Sequence, residues 1–306
     1  MASHDDRAHS APSQRALQST LNGSHGRLLT VPAGLPEYET PPVVEVGLSV
    51  AFSSLPTLTA AQLARFWQEH LPEFPRTEDQ GYFQPPPELF GPARLFAAFP
   101  PIQFGAPPPR IWALNDEGTS VVQLQRDWIG LNWRRLDTVQ PGEAPSPYPT
   151  YKVLGPQFIA LYERFRAWIE RSGLGTAIPT QCEVTYVNHI LIEEPLRGLG
   201  DFSALLSFWR EHWPVGFLPT PEDGRLECNW VMVEGRGRLH LSLLPAVRVT
   251  DGRAMFILTL TARGTPEAQD LAGVRGFLDD GHEWIVRGFQ DLIHPDLRAL
   301  WGEHER

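Results

Sequence analysis

The sequence predicts an α+β protein: internally duplicated strand–helix–strands–helix units forming a mainly antiparallel, curved sheet backed by two long helices. Three observations lead there. Runs with apolar residues at every second position occur in both halves, and each half closes with a long amphipathic helical pattern. The order of elements starts over near residue 176, so that 41–175 and 176–306 read as two repeats packed into one body. Neither half alternates strand with helix regularly, which disfavours a doubly wound parallel sheet.

Residues 1–40 show no sustained period and read as a flexible tail, with apolar spots at 28–31. Pro41-Pro42 punctuates the start of the fold. In 43–52, Val44, Val46, Leu48, Val50 and Phe52 share one face and Glu45, Gly47, Ser49 and Ala51 the other, a strand with one buried side. Thr59 followed by Gln62 predicts a capped helix start, and Leu63, Phe66 and Trp67 give that helix its buried stripe. The Pro-rich, aromatic stretch 76–108 carries no period. Strands are expected at 110–115, 119–126 and 128–134. A long helix at 151–172 follows, with Phe158, Leu161, Tyr162, Phe165, Trp168 and Ile169 as its apolar face and Gly173 just past its end.

The second repeat opens at 181–192, QCEVTYVNHILI, where Cys182, Val184 and Tyr186 alternate with Glu183, Thr185, Val187 and His189. A short helix capped by Asp201 and strands at 226–233, 238–247 and 254–263 come next. The last helix is expected at 277–293, with His282 and Glu283 on its solvent side. An edge-to-edge union of the two repeats resembles the TATA-binding-protein fold or a helix-grip arrangement, a likeness of fold and not of function.

Composition narrows the function classes. The 306-residue protein is 20% charged with a formal net charge of −10, which makes duplex DNA an unlikely partner. Cys182 and Cys228 both sit in apolar stretches and read as buried free thiols; two cysteines do not make a thiolate metal cluster. No run of ~18 apolar residues points to a membrane, and a cytoplasmic location is expected. HEWIV at 282–286 lacks the second His of a zinc helix, and the glycines at 235 and 237 lack a phosphate-loop Lys-Ser/Thr. No metal or cofactor is expected.

If the strongly apolar strand faces pack under the helices, the uncovered face gathers Glu45, Ser49, Gln123, Gln125, Asn132, Arg134, Glu183, Thr185, His189, His240, Ser242, Thr259 and Thr261. That is either the solvated side of an antiparallel sheet or a binding face. The candidate binding residues are Asn132, Arg134, Glu183, Asn188, His189 and His240. Glu183 and His189 share a strand face but stand ~20 Å apart on a straight strand, too far for joint acid–base work. In QRDWIGLNWRR (125–135), Trp128 and Trp133 read as core residues.

The strings VVEVGLSVAF, QRDWIGLNWR, QCEVTYVNHI, GRGRLHLSLLPA, LTARG and HEWIVRGFQDL, in that order, resemble a sporadically distributed bacterial family of uncharacterised proteins over about residues 41–302. The resemblance implies no particular activity or cofactor, and a sporadic distribution suits phage defence or toxin control. The expectation is a non-enzymatic binding or scaffolding protein that holds a protein partner on the open sheet face or the tail. The alternative is an enzyme or nucleotide/nucleic-acid sensor, with a small molecule or nucleotide on that face.

Overall fold

The computed structural model describes residues 34–84, 86–90, 109–136, 147–209, 217, 219, 221–232 and 235–305. The apolar spots at 28–31 lie outside them. The body is α+β. Among the described residues, eleven strands and five helices run in the order β1 (Pro36–Tyr38), β2 (Val43–Phe52), α1 (Ala60–His70), β3 (Arg76–Gln80), β4 (Arg110–Leu114), β5 (Ser120–Gln125), β6 (Trp128–Arg134) and α2 (Tyr151–Arg171). There follow β7 (Pro179–Leu191), α3 (Phe202–Leu205), β8 (Leu226–Val231), β9 (Gly237–Val247), β10 (Ala254–Gly264), α4 (Leu271–Leu292), α5 (Pro295–Leu300) and β11 (Glu303–Glu305).

Nine strands form one open sheet in the order β3-β4-β5-β6-β2-β7-β10-β9-β8, every pair antiparallel. β2 and β7 pair at its middle. In each half the opening strand is central, the last strand lies beside it, and the earlier ones lie further out, as sequential hairpins require.

One sheet face is apolar and covered by α2 and α4, with α1 packed against α2. Val46, Leu48 and Val50 of β2, Cys182 and Val184 of β7, and Leu258, Leu260 and Ala262 of β10 are all buried beneath the helices. Gly281 permits the close approach of α4. A Cβ there would stand 3.1 Å from both Ala262 Cβ and Val184 Cγ2. Aromatic contacts tie α1 to α2, with the Phe66 and Phe165 ring centroids 5.0 Å apart.

Several boundaries depart from the sequence expectations for physical reasons. The expected tail ends earlier than residue 40. Pro36–Tyr38 pairs with Glu303–Glu305, and Tyr38 packs edge-on against Phe289 at 5.5 Å. Arg76–Gln80 is an additional strand, invisible to periodicity because RTEDQ is almost wholly exposed at the sheet edge. α4 begins six residues before the expected 277: Asp270 caps it by accepting from Gly273 N at 2.8 Å, while Gly273 and Gly276 lower its intrinsic propensity. Thr59 caps α1 through Gln62 N, as its position predicts. Cys182 is buried and Cys228 half-buried, both free thiols. Among the described residues no helix is long and apolar enough to cross a membrane.

Candidate functional site on the open sheet face

Period-two alternation sends every second side chain of the nine strands to the face opposite the helices. On the β4–β2 side these groups form one continuous hydrogen-bonded series. Gln123 Oε1 accepts from Trp112 Nε1 at 2.9 Å and from the Arg110 guanidinium. Gln123 Nε2 donates to Asn132 Oδ1 at 2.7 Å, and Asn132 Nδ2 donates to Glu45 Oε1 at 2.7 Å. Asn132 lies over Gly47, where a Cβ would come within 2.9 Å of its Nδ2. Burial of Arg110 pulls its pKa down, and the guanidinium sits among the rings of Phe83, Trp112 and Trp128 at 5.3, 5.4 and 5.8 Å.

On the β7–β8 side the groups are ionic. Arg263 Nε donates to Glu183 Oε2 at 2.5 Å, and Thr185 bonds Thr261 at 3.0 Å. Arg238 stands directly opposite Arg263 in the β9–β10 register. Like charges in that position repel, and each arginine has its own carboxylate. Arg238 donates to Glu88, whose other oxygen meets His240 Nε2 at 2.6 Å. The other ring nitrogen of His240 contacts Asn229 Oδ1 at 2.6 Å, so both nitrogens are engaged. Burial pushes the Glu88 carboxyl up, but His240 and Arg238 outweigh it and hold the group below its ordinary value.

Glu88 belongs to a strap, described at residues 81–84 and 86–90, that leaves the edge strand β3 and crosses one end of this face. Its backbone is read by side-chain amides. Phe83 N donates to Gln125 Oε1 at 3.0 Å while Gln125 Nε2 donates to the Phe83 carbonyl at 2.8 Å. Further along, Glu88 N donates to Gln181 Oε1 at 2.8 Å and Gln181 Nε2 donates to the Pro86 carbonyl at 3.2 Å. Tyr82 is fixed on Asp127 at 2.7 Å, and Phe90 stacks on the Arg238 guanidinium at 4.5 Å. The strap accounts for Trp128. That indole is buried as expected, but on the open face, over Gly130 and against Phe83 at 5.6 Å, whereas Trp133 is in the helix-side core.

The six candidate residues are therefore not brought together. Asn132 is in the amide series that ends on Glu45. Arg134 donates from Nε to the Gly118 carbonyl at 2.9 Å and so braces the β4–β5 turn. Glu183 is neutralised by Arg263, and His240 is engaged by the strap and Asn229. His189 lies near the opposite end of β7, across from Ile257. Asn188 does not belong to the open face. Its even position in β7 directs it to the helix side, where it is 4% exposed and donates to the Leu258 carbonyl at 3.2 Å.

The partners that complete the face, Glu88, Arg238, Arg263, Gln181 and Arg110, are not among those candidates. Glu88 sits in an aperiodic Pro-rich stretch 150 residues from Arg238. The Arg238–Arg263 juxtaposition does carry a signal, because a hairpin closed around 248–253 places those two residues opposite each other.

A second polar cluster lies under the helices and corrects the solvent-side assignment of His282. Tyr148 OH donates to Tyr186 OH at 3.0 Å, and Tyr186 OH lies 2.9 Å from His282 Nδ1. With Tyr148 as donor, Tyr186 gives its own proton to Nδ1, which makes that nitrogen the acceptor. Tyr151 stacks on the imidazole at 4.1 Å and bonds Asp279 at 2.8 Å. Burial lowers the His282 pKa to about 4, with Lys152 adding to the effect, and burial raises Tyr148 to about 12 and Tyr186 well above its usual value. Glu283, by contrast, is exposed and pairs with Arg287 at 2.7 Å.

Fold and face together define an α+β protein with a nine-stranded antiparallel open sheet, helices on one side and a polypeptide strap on the other. Comparison with protein-family models, with curated proteins and with solved structures finds no match to this sequence or fold.

Proposed function

We propose that this protein is a non-enzymatic binding or scaffolding protein whose open sheet face holds a segment of a protein partner. The observation that carries the reading is the pair of glutamine amides, Gln125 and Gln181, each bonded to both a backbone N–H and a backbone carbonyl of a crossing segment. Hydrogen bonds to the main chain give affinity for an extended polypeptide, and side-chain pockets give its specificity. The dispersal of Glu183, His189 and His240 supports binding over acid–base chemistry, which needs its groups within hydrogen-bond reach of one reacting atom. The resemblance to a sporadically distributed bacterial family supports a place in a defence or toxin-control system, and a cytoplasmic location is part of the same proposal.

A photo-crosslinking residue at Thr259, half-buried on the open face, tests this in the native host. A polypeptide is expected to crosslink there and not from Val153 on the exposed side of α2, and to do so also after removal of residues 1–33. Crosslinking that depends wholly on residues 1–33, or a co-purifying nucleotide with no polypeptide at Thr259, overturns the reading.

A further inference from the structure

The strap is held like a bound peptide more than like a packed loop. Its backbone is gripped by Gln125 and Gln181, its carboxylate by Arg238 and His240, and its aromatic rings by two guanidinium groups, Phe83 on Arg110 and Phe90 on Arg238. The receptor side of these contacts comes from four strands of the sheet. Arg238 and Glu88 are buried to 6% and 5% exposure, and Arg238 Nε is enclosed without a partner among the described residues. Without Glu88, Arg238 would face Arg263 across the β9–β10 ladder with one carboxylate between two guanidinium groups. The site is therefore built to hold an acid. Arg238, His240 and Arg263 meet at this end of the sheet, and Glu88 and Glu183 are the carboxylates that balance them.

We propose that this groove is the docking site for an extended acidic segment of a partner protein, carrying Glu or Asp followed two residues on by an aromatic. The strap is its intramolecular stand-in, and the partner binds by exchange with it. This inference rests on the protein-binding reading above and names the chemistry of the partner. Arg238 and His240 select the carboxylate, the Arg238 face takes the aromatic, and Gln181 takes the backbone between the strap's Pro86 and Glu88 positions. The tethered strap competes at an effective concentration of roughly millimolar, so exchange favours a partner that matches its contacts and adds others along the sheet.

The test uses the full-length protein and a fluorescent peptide with the sequence of residues 82–90. Glu88→Gln in the protein removes the charge from the strap and leaves the groove intact. The peptide is expected to bind this variant at least about tenfold more tightly than the wild type, since charged hydrogen bonds are about twice as strong as neutral ones. Changing Glu to Gln in the peptide, or adding Arg238→Gln to the variant, is expected to abolish that gain. Equal affinity for wild type and Glu88→Gln, or indifference to the peptide's carboxylate, overturns the proposal. If Glu88→Gln does not fold, hydrogen exchange in the wild type decides. Excess peptide is expected to accelerate exchange of the Phe83 and Glu88 amides, and unchanged protection overturns the proposal. A polypeptide crosslinked at Thr259 whose yield the peptide does not reduce would sink this inference while leaving the binding reading in place.

Discussion

Replacing His282 by Phe separates two effects that the half-buried cluster between α4, α2 and β7 combines. Phe keeps the stack on Tyr151 and removes the acceptor of the Tyr186 hydroxyl, leaving a donor buried without a partner. That costs about 1–3 kcal/mol at neutral pH. The imidazole itself is held neutral, its pKa lowered from 6.5 to about 4 by burial, with Lys152 adding to the effect. Between pH 6.5 and 4 the unfolded protein therefore binds a proton that the folded protein refuses. Stability from this group is complete above pH 6.5 and falls with falling pH, by about 1.4 kcal/mol for each pH unit. Over the whole window the wild type loses roughly 3 kcal/mol to this residue alone. The variant has no such proton to refuse. Tyr148, Tyr151 and Tyr186 stay protonated throughout the window, and Asp279 and Lys152 remain in both proteins. Urea denaturation at half-unit steps from pH 7.5 to 4.5 should show His282→Phe less stable at neutral pH and the gap closing as pH falls, with the two curves meeting or crossing near the bottom. A gap that stays constant across the range refutes the argument, because it means that the His282 imidazole titrates as freely in the folded protein as in the unfolded one.

The open face and the core offer three further tests. Gly47→Ala drives a Cβ into Asn132, whose amide is fixed by Gln123 and Glu45. A loss of about 1–2 kcal/mol is expected in urea denaturation, with most of it recovered in Gly47→Ala/Asn132→Ala; full additivity of the two changes would show that the amide series is not the obstacle. Glu183→Ala leaves Arg263 beside Arg238 without its carboxylate and is expected to cost about 2 kcal/mol, reduced from the fully buried case by partial solvent access. Arg263→Ala in the same background should restore part of that, and a Glu183→Ala protein as stable as the wild type would show that the ion pair is solvated and idle. Cys182 is buried at the sheet centre, and burial pushes its thiol up. A thiol reagent should therefore modify only Cys228 in the native protein and reach Cys182 on unfolding, whereas rapid modification of both would place the β7 core open to solvent.

Much of the fold was legible because one face of the sheet is buried. In β2, β7 and β10 a one-residue slip would turn the whole apolar set to the wrong side, so Val46, Leu48 and Val50 or Phe256, Leu258 and Leu260 specify their own orientation. α2 was legible for the same reason, through Phe158, Tyr162, Phe165 and Ile169. β3 was not, because an exposed edge strand needs no apolar residue to keep its place. The start of α4 was hidden by Gly273 and Gly276, whose low helix propensity is overridden by the Asp270 cap and by packing on β7 and β10. The candidate site was legible as a face and illegible as a set of contacts. Parity along the strands places Asn132, Glu183 and His240 on it, and the same parity excludes Asn188.

The sequence by itself determined the class of the fold, the orientation of the central strands and the polar character of one sheet face, because each rests on local periodicity of burial. Tertiary structure decided what those polar groups do. Glu88 reaches Arg238 and His240 from 150 and 152 residues away, and His282 reaches Tyr186 across the helix–sheet interface. Which carboxylate neutralises which arginine, and which nitrogen meets which hydroxyl, depends on crossings of the polypeptide that leave no period in the sequence. The strap illustrates the division. Its Pro-rich stretch says only that the polypeptide is neither helix nor strand there, and the amides of Gln125 and Gln181 supply the hydrogen bonds that fix where it lies.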